Sequence, residues 1–147
     1  MISAWQTIDV DLGPTKTHEI DFVKPQVQGL VELGLPVTSP VRCLDLAEQV
    51  AQKLHACTGP YSTGRARGLL DILLIETLGG SDNRRMSAAA RQVFAERATH
   101  AFPPMFAMPA EWRPEVETLA GQLGFPVSNA SEIEQRFLAL IRRLAKF

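Results

Sequence analysis

The sequence predicts an α+β protein: short N-terminal antiparallel strands, then a bundle of about five helices. Three observations carry this reading. Apolar and polar residues alternate near the start of the chain, with Ile8, Val10 and Leu12 on one face and Asp9 and Asp11 on the other, as in a half-buried strand. The pattern switches to helical spacing near residue 44. Beyond that point, capping residues and Gly or Pro stops mark the helix ends. The chain is read as one domain over residues 1–147, strand-rich over 1–43 and helical over 44–147.

Each element follows from its residues. Gly13-Pro14 turns the chain after the first strand, and residues 18–23 suit a second strand of a hairpin. Pro36 and Pro40 leave an extended connector, with room for one more short strand at residues 41–44. Asp45 or its neighbour starts a helix that runs to about Cys57, with Ala47, Val50, Ala51, Leu54 and Cys57 at core spacing. Gly59-Pro60 ends it, and a loop carrying Gly and Arg follows. The stretch Gly68-Leu69-Leu70-Asp71-Ile72-Leu73-Leu74-Ile75 reads as a core helix that stops at Gly79-Gly80. Ser81-Asp82-Asn83 caps a third helix to about Ala98, with Met86, Ala90, Val93, Phe94 and Arg97 along one side. A Pro-rich loop precedes a short helix bounded by Pro114 and Gly124. Ser131 and Glu134 have the spacing of a capping box for the last helix, whose core stripe is Ile133, Phe137, Leu140, Ile141 and Leu144.

Composition narrows the function classes. The chain has 147 residues, 46% hydrophobic and 21% charged, with a net charge of −1. That balance argues against a nucleic-acid coat or a membrane-surface protein, both of which need excess Lys and Arg. No apolar run approaches a membrane span, and the N-terminus lacks the features of a signal peptide. Cys43 and Cys57 have no CxxC partner or clustered His, so they read as reduced, buried residues of a cytoplasmic protein rather than zinc ligands.

The most informative residue is Asp71, an acid set in an apolar run. An ionised carboxylate there needs a partner, and Lys53, Arg65 and Arg67 lie just upstream. Two helices joined by a short loop pack antiparallel, which lets Lys53 face Asp71. The group is either a structural ion pair or part of a phosphate-binding site, with Lys and Arg as fixed cations and the acid as a base or metal ligand. Asp9 and Asp11, at i and i+2 on a strand, share a face and could hold magnesium; an ordinary solvated strand face has the same pattern. His55 and His100 read as single hydrogen-bonded histidines.

Two stretches, residues 46–57 with Lys53-Leu54-His55-Ala56 and residues 65–74 with Arg65-Ala66-Arg67-Gly68-Leu69-Leu70-Asp71, resemble the AbiEii/AbiGii nucleotidyltransferase toxins. So do Val93-Phe94, Arg97, His100, Phe102-Pro103-Pro104 and Pro109 to Trp112 further on, and the alternation around Ile8-Asp9-Val10. The resemblance implies a nucleotidyltransferase sheet, of which the short strands here would be a remnant. It also implies an NTP substrate with magnesium, nucleotide transfer to an acceptor that in some members is the 3′ end of tRNA, and an antitoxin partner in abortive infection. Lys53 matches the lysine expected at the nucleotide phosphates and Asp71 the second acid of the later helix, so both are expected catalytic residues, with Arg65 and Arg67 as further phosphate ligands.

The family's catalytic signature, a Gly-Ser or Gly-Thr turn followed by Asp-x-Asp, is not supplied by this chain, where Gly13, Gly29 and Gly34 lack the Ser and the paired acids. Gly68 stands where members usually carry Asp, one turn before Asp71. The resemblance therefore covers the C-terminal part of such a toxin, expected to be weakly active or inactive alone. The alternative is a non-catalytic helical binding module that keeps the family core. Self-association through an exposed strand edge at residues 5–12 is a further expectation.

Overall fold

The computed structural model describes residues 20–24, 29, 32–34, 39–62, 64–79 and 82–147. Within them two antiparallel strands precede five helices: β1 (Ile20–Val23), β2 (Val41–Leu44), α1 (Leu46–Thr58), α2 (Ala66–Thr77), α3 (Asn83–Arg97), α4 (Trp112–Gln122) and α5 (Ala130–Leu144). This is the predicted α+β arrangement. Ile20 pairs with Leu44 and Val23 with Val41, so the extra strand considered at residues 41–44 is the partner of β1. The strand expected at residues 5–12, with Asp9, Asp11 and the edge proposed for self-association, lies outside the described residues, as does His18.

Helix α1 starts where its cap is strongest. Asp45 Oδ1 accepts from the backbone N–H groups of Ala47 and Glu48 at 2.9 and 3.4 Å, and Oδ2 receives Arg85 Nη2 of α3 at 3.0 Å. The cap thus also joins two helices. Val50, Ala51 and Leu54 are fully buried, and α1 packs on both α2 and α3. Leu69, Leu70, Ile72 and Leu73 of α2 complete this core with Trp112, Phe137 and Leu140 from α4 and α5. Ser87 Oγ of α3 donates to the Leu144 carbonyl of α5 at 2.8 Å. Arg143 of α5 bonds both Glu76 of α2 and Asn83 of α3. Among the described residues, no helix is long and apolar enough to cross a membrane.

Two helix starts differ from the sequence reading. Helix α4 begins at Trp112, which puts Pro114 at its third residue; a first-turn N–H has no intrahelical acceptor, so proline costs nothing there. Gly124 ends the segment with φ +62°, as its position suggested. Helix α5 is capped by Asn129, whose Oδ1 accepts from Ser131 and Glu132 N–H at 2.9 and 3.3 Å. The Ser131–Glu134 box does not close because Glu134 is engaged elsewhere. Its Oε1 accepts from Met108 N–H and its Oε2 pairs with Arg113, both at 2.7 Å. A carboxylate that ties down the preceding Pro-rich loop cannot also cap its own helix.

Candidate functional site

The C-terminal half of α1 and the first turns of α2 frame a cleft of about 250 Å³. Gly64, Arg65, Arg67, Gly68 and Asp71 line it from the α2 side, and Lys53, Ala56 and Cys57 from α1. Lys53 reaches it because the buried stripe of α1, Val50, Ala51, Leu54 and Cys57, turns residue 53 toward the start of α2. On α2, Gly68 and Asp71 are three residues apart and share a face. Lys53 Nζ meets Asp71 Oδ2 at 2.7 Å, so the predicted helix-to-helix pair is formed, and with Lys53 rather than with an arginine.

Asp71 is not the buried acid that its apolar neighbours suggested. Its side chain is 31% exposed and that of Lys53 37%. Leu74 and Ile75 are only half-buried and Leu78 is 81% exposed, so α2 keeps a wet face despite its composition. The ion pair needs no deep desolvation and adds little to stability. What it does is hold the ammonium at one place in the cleft.

The cleft is electropositive for a second reason. Helix α2 starts at Arg65 with no side-chain cap and no acid in its first turn. Its leading N–H groups have no intrahelical acceptor and carry the positive end of the helix dipole. Arg65 and Arg67 are exposed and form no ion pair among the described residues. A lysine, two arginines and an open helix start converge on a space that, among the described residues, one carboxylate lines, an arrangement able to attract an anion.

That single carboxylate does not fit a magnesium shell. A divalent cation of this kind takes several oxygen ligands, and Asp71 already accepts from Lys53. No group of three His, Cys, Asp or Glu able to hold a metal exists among the described residues. Asp9 and Asp11, the predicted metal pair, are outside them.

Cys57 closes the floor between the two helices. It is 2% exposed, burial pushes its thiol up to about 12, and its Sγ donates to the Arg65 carbonyl at 3.5 Å. The close approach depends on Gly68, where a Cβ would stand 3.1 Å from that sulfur.

On the opposite side of α1 the structure assembles a cluster that sequence reasoning missed. His55 and His100, read as single histidines, have ring centroids 4.6 Å apart, and both contact Phe94 edge-on. The Thr99 hydroxyl links them, and the Thr58 hydroxyl joins His100 to the backbone of α1. Arg97 Nη1 lies 3.5 Å from His55 Nδ1. A guanidinium only donates, so His55 carries its proton on Nε2 and donates to Thr99 Oγ1 at 2.8 Å. The Thr99 hydroxyl then donates to His100 Nδ1 at 3.0 Å, and His100 Nε2 donates to Thr58 Oγ1 at 2.9 Å. Thr58 passes its own proton to the Leu54 carbonyl at 2.9 Å. The chain runs one way, and both rings are neutral in it. Burial lowers the pKa of each from 6.5, and for His55 the electrostatic influence of His100 and Arg97, which disfavours a second positive charge there, lowers it further. The one sequence signal was Thr99 beside His100, which cannot by itself reveal a partner at His55.

The family model of the nucleotidyl transferase AbiEii toxin, type IV toxin–antitoxin system, matches residues 3–142. No curated protein matches the chain.

Proposed function

From membership in the AbiEii nucleotidyl transferase toxin family, to which this chain belongs, we infer that the Lys53 cleft binds the phosphates of an NTP and serves transfer of its nucleotide to an acceptor. The observation that supports this reading is the convergence of Lys53, Arg65, Arg67 and the uncapped start of α2 on one open cleft. Lys53 contacts the phosphates. Asp71 acts through Lys53 by fixing its ammonium at 2.7 Å. Asp9 and Asp11 are the proposed magnesium ligands, and no step is assigned to the metal from the described residues. The acceptor is tRNA at its 3′ end, the setting is the cytoplasm during abortive infection, and an antitoxin restrains the protein.

One observation favours a second reading, a binding module without catalysis. Among the described residues Asp71 is the sole carboxylate lining the cleft, and Gly68 has no side chain to act as acid or base. A single assay separates the two. The protein is incubated with labelled NTPs, magnesium and tRNA. Transfer of label that is lost in Lys53→Ala establishes the enzyme. NTP binding that depends on Lys53 without any transfer establishes the module. NTP binding unchanged in Lys53→Ala defeats both.

A further inference from the structure

The His55 cluster opens on a second cleft, of about 170 Å³, that borders the first. The two share Ala56 and Arg65. Arg65 and Arg97 both line it, together with His55, Thr99 and Tyr61, and Tyr61 is 87% exposed. Among the described residues, no acid lines this cleft. Neither Arg65 nor Arg97 forms an ion pair among the described residues. Two guanidiniums that line one space, with no ion-pair partner for either among the described residues, suit a phosphate. An exposed aromatic ring beside such a pair is a platform for a base, because every base presents a π face that can stack.

We propose that this cleft is a second phosphate site that holds one nucleotide unit, its phosphate between Arg65 and Arg97 and its base on Tyr61. The site is distinct from the Lys53 cleft and does not depend on that cleft's reading. The phosphate draws Arg97 off His55 Nδ1, because the guanidinium gains a charged acceptor in place of a neutral one 3.5 Å away. Nδ1 is then free to take a proton, and the anion next to it favours the charged ring. The ionisable groups that face His55 are His100 and Arg97 around the end of α3, Arg65 at the start of α2 and Tyr61 in the connecting loop. The proton is therefore taken up with the anion, and affinity rises as pH falls through the lowered His55 value. The unit is a free nucleotide or the end of a single strand; both present the same phosphate and base.

The test follows the histidine Cε1–H signals by NMR from pH 5 to 8, with sulfate as a phosphate stand-in that does not titrate in this range. Sulfate is expected to shift the His55 signal and raise its midpoint in the intact protein and in Lys53→Ala. Arg97→Gln, an exposed substitution that can still donate to His55, is expected to lose the response. A His55 signal indifferent to sulfate overturns the proposal, as does a response that survives Arg97→Gln or vanishes in Lys53→Ala. AMP is expected to bind more tightly than adenosine, and Tyr61→Ala to weaken AMP about tenfold while sparing sulfate. Adenosine binding as well as AMP overturns the phosphate assignment. A single-stranded pentanucleotide that binds more tightly than AMP assigns the site to a strand end; equal binding assigns it to a free nucleotide, and either result supports the site.

Discussion

Lys53 and His55 are two residues apart, yet they serve opposite sides of one helix. Two steps of an α-helix rotate by about 200°, so the segment Lys53-Leu54-His55-Ala56 sends its cation into one cleft and its imidazole into the other. The cation meets Asp71 as a pair of half-exposed charges. The imidazole, 7% exposed, enters a directed run of hydrogen bonds that ends on the backbone of its own helix. The first arrangement places a charge at little gain in stability. The second is part of the packing, and its proton positions are fixed by Arg97. A short helical motif can thus hold a half-exposed charge and a buried, hydrogen-bonded ring side by side, and sequence adjacency says nothing about which is which.

The largest expected difference between the two sides is in stability. His55→Ala removes a ring packed edge-on against Phe94 and strips Thr99 and Arg97 of a partner. It should cost about 2–3 kcal/mol. Lys53→Met breaks an ion pair between half-exposed groups and should cost no more than about 1 kcal/mol. Urea unfolding of the two variants checks the contrast. Equal losses would mean that the Lys53–Asp71 pair is structural after all.

A smaller effect should appear with pH. Both histidines titrate below 6.5 in the folded protein, so the unfolded chain binds protons more readily. Stability linked to them is therefore fully present above pH 6.5. It is lost as pH falls below that value, and the loss levels off once the folded-state values are passed. The melting temperature should drop between pH 7 and pH 5 in the intact protein and in Lys53→Met, and the drop should shrink in a His55→Gln, His100→Gln double variant. An undiminished drop in the double variant would place the acid sensitivity elsewhere.

These two sides were unequally legible in the sequence. The Lys53–Asp71 pair could be read because two helices joined by a short loop bring residues 18 apart together, and helical spacing fixes which faces meet. Asp71 is more exposed than its sequence suggests, because composition in Leu69 to Ile75 does not show which apolar residues stay half-exposed at the edge of a small core. The histidine chain joins residues 42 to 44 apart, through hydroxyls with many possible partners, and no periodicity encodes that. The same limit explains helix α5, where Glu134 had the spacing for a cap but was recruited by Met108 and Arg113 from another segment. Helix positions follow from local pattern, whereas polar partners are chosen by the assembled fold.

The smallest expected effect concerns the floor of the Lys53 cleft, and it bears on what Gly68 is for. Alanine normally stabilises a helix over glycine by about 1 kcal/mol. At position 68 the added Cβ would press on Cys57 Sγ at 3.1 Å. The buried thiol has little room to move, because it also bonds the Arg65 carbonyl. Gly68→Ala should therefore bring no gain in the intact protein. In a Cys57→Ala background the same substitution should add about 1 kcal/mol, since the crowding atom is gone. Denaturation of the four proteins of this cycle measures the coupling. A Gly68→Ala protein that gains stability with Cys57 in place would show that α1 and α2 do not need the glycine to approach. Coupling as expected would instead mean that glycine here sets how closely Lys53 approaches Asp71, a role an aspartate could fill only if the sulfur at position 57 gave way.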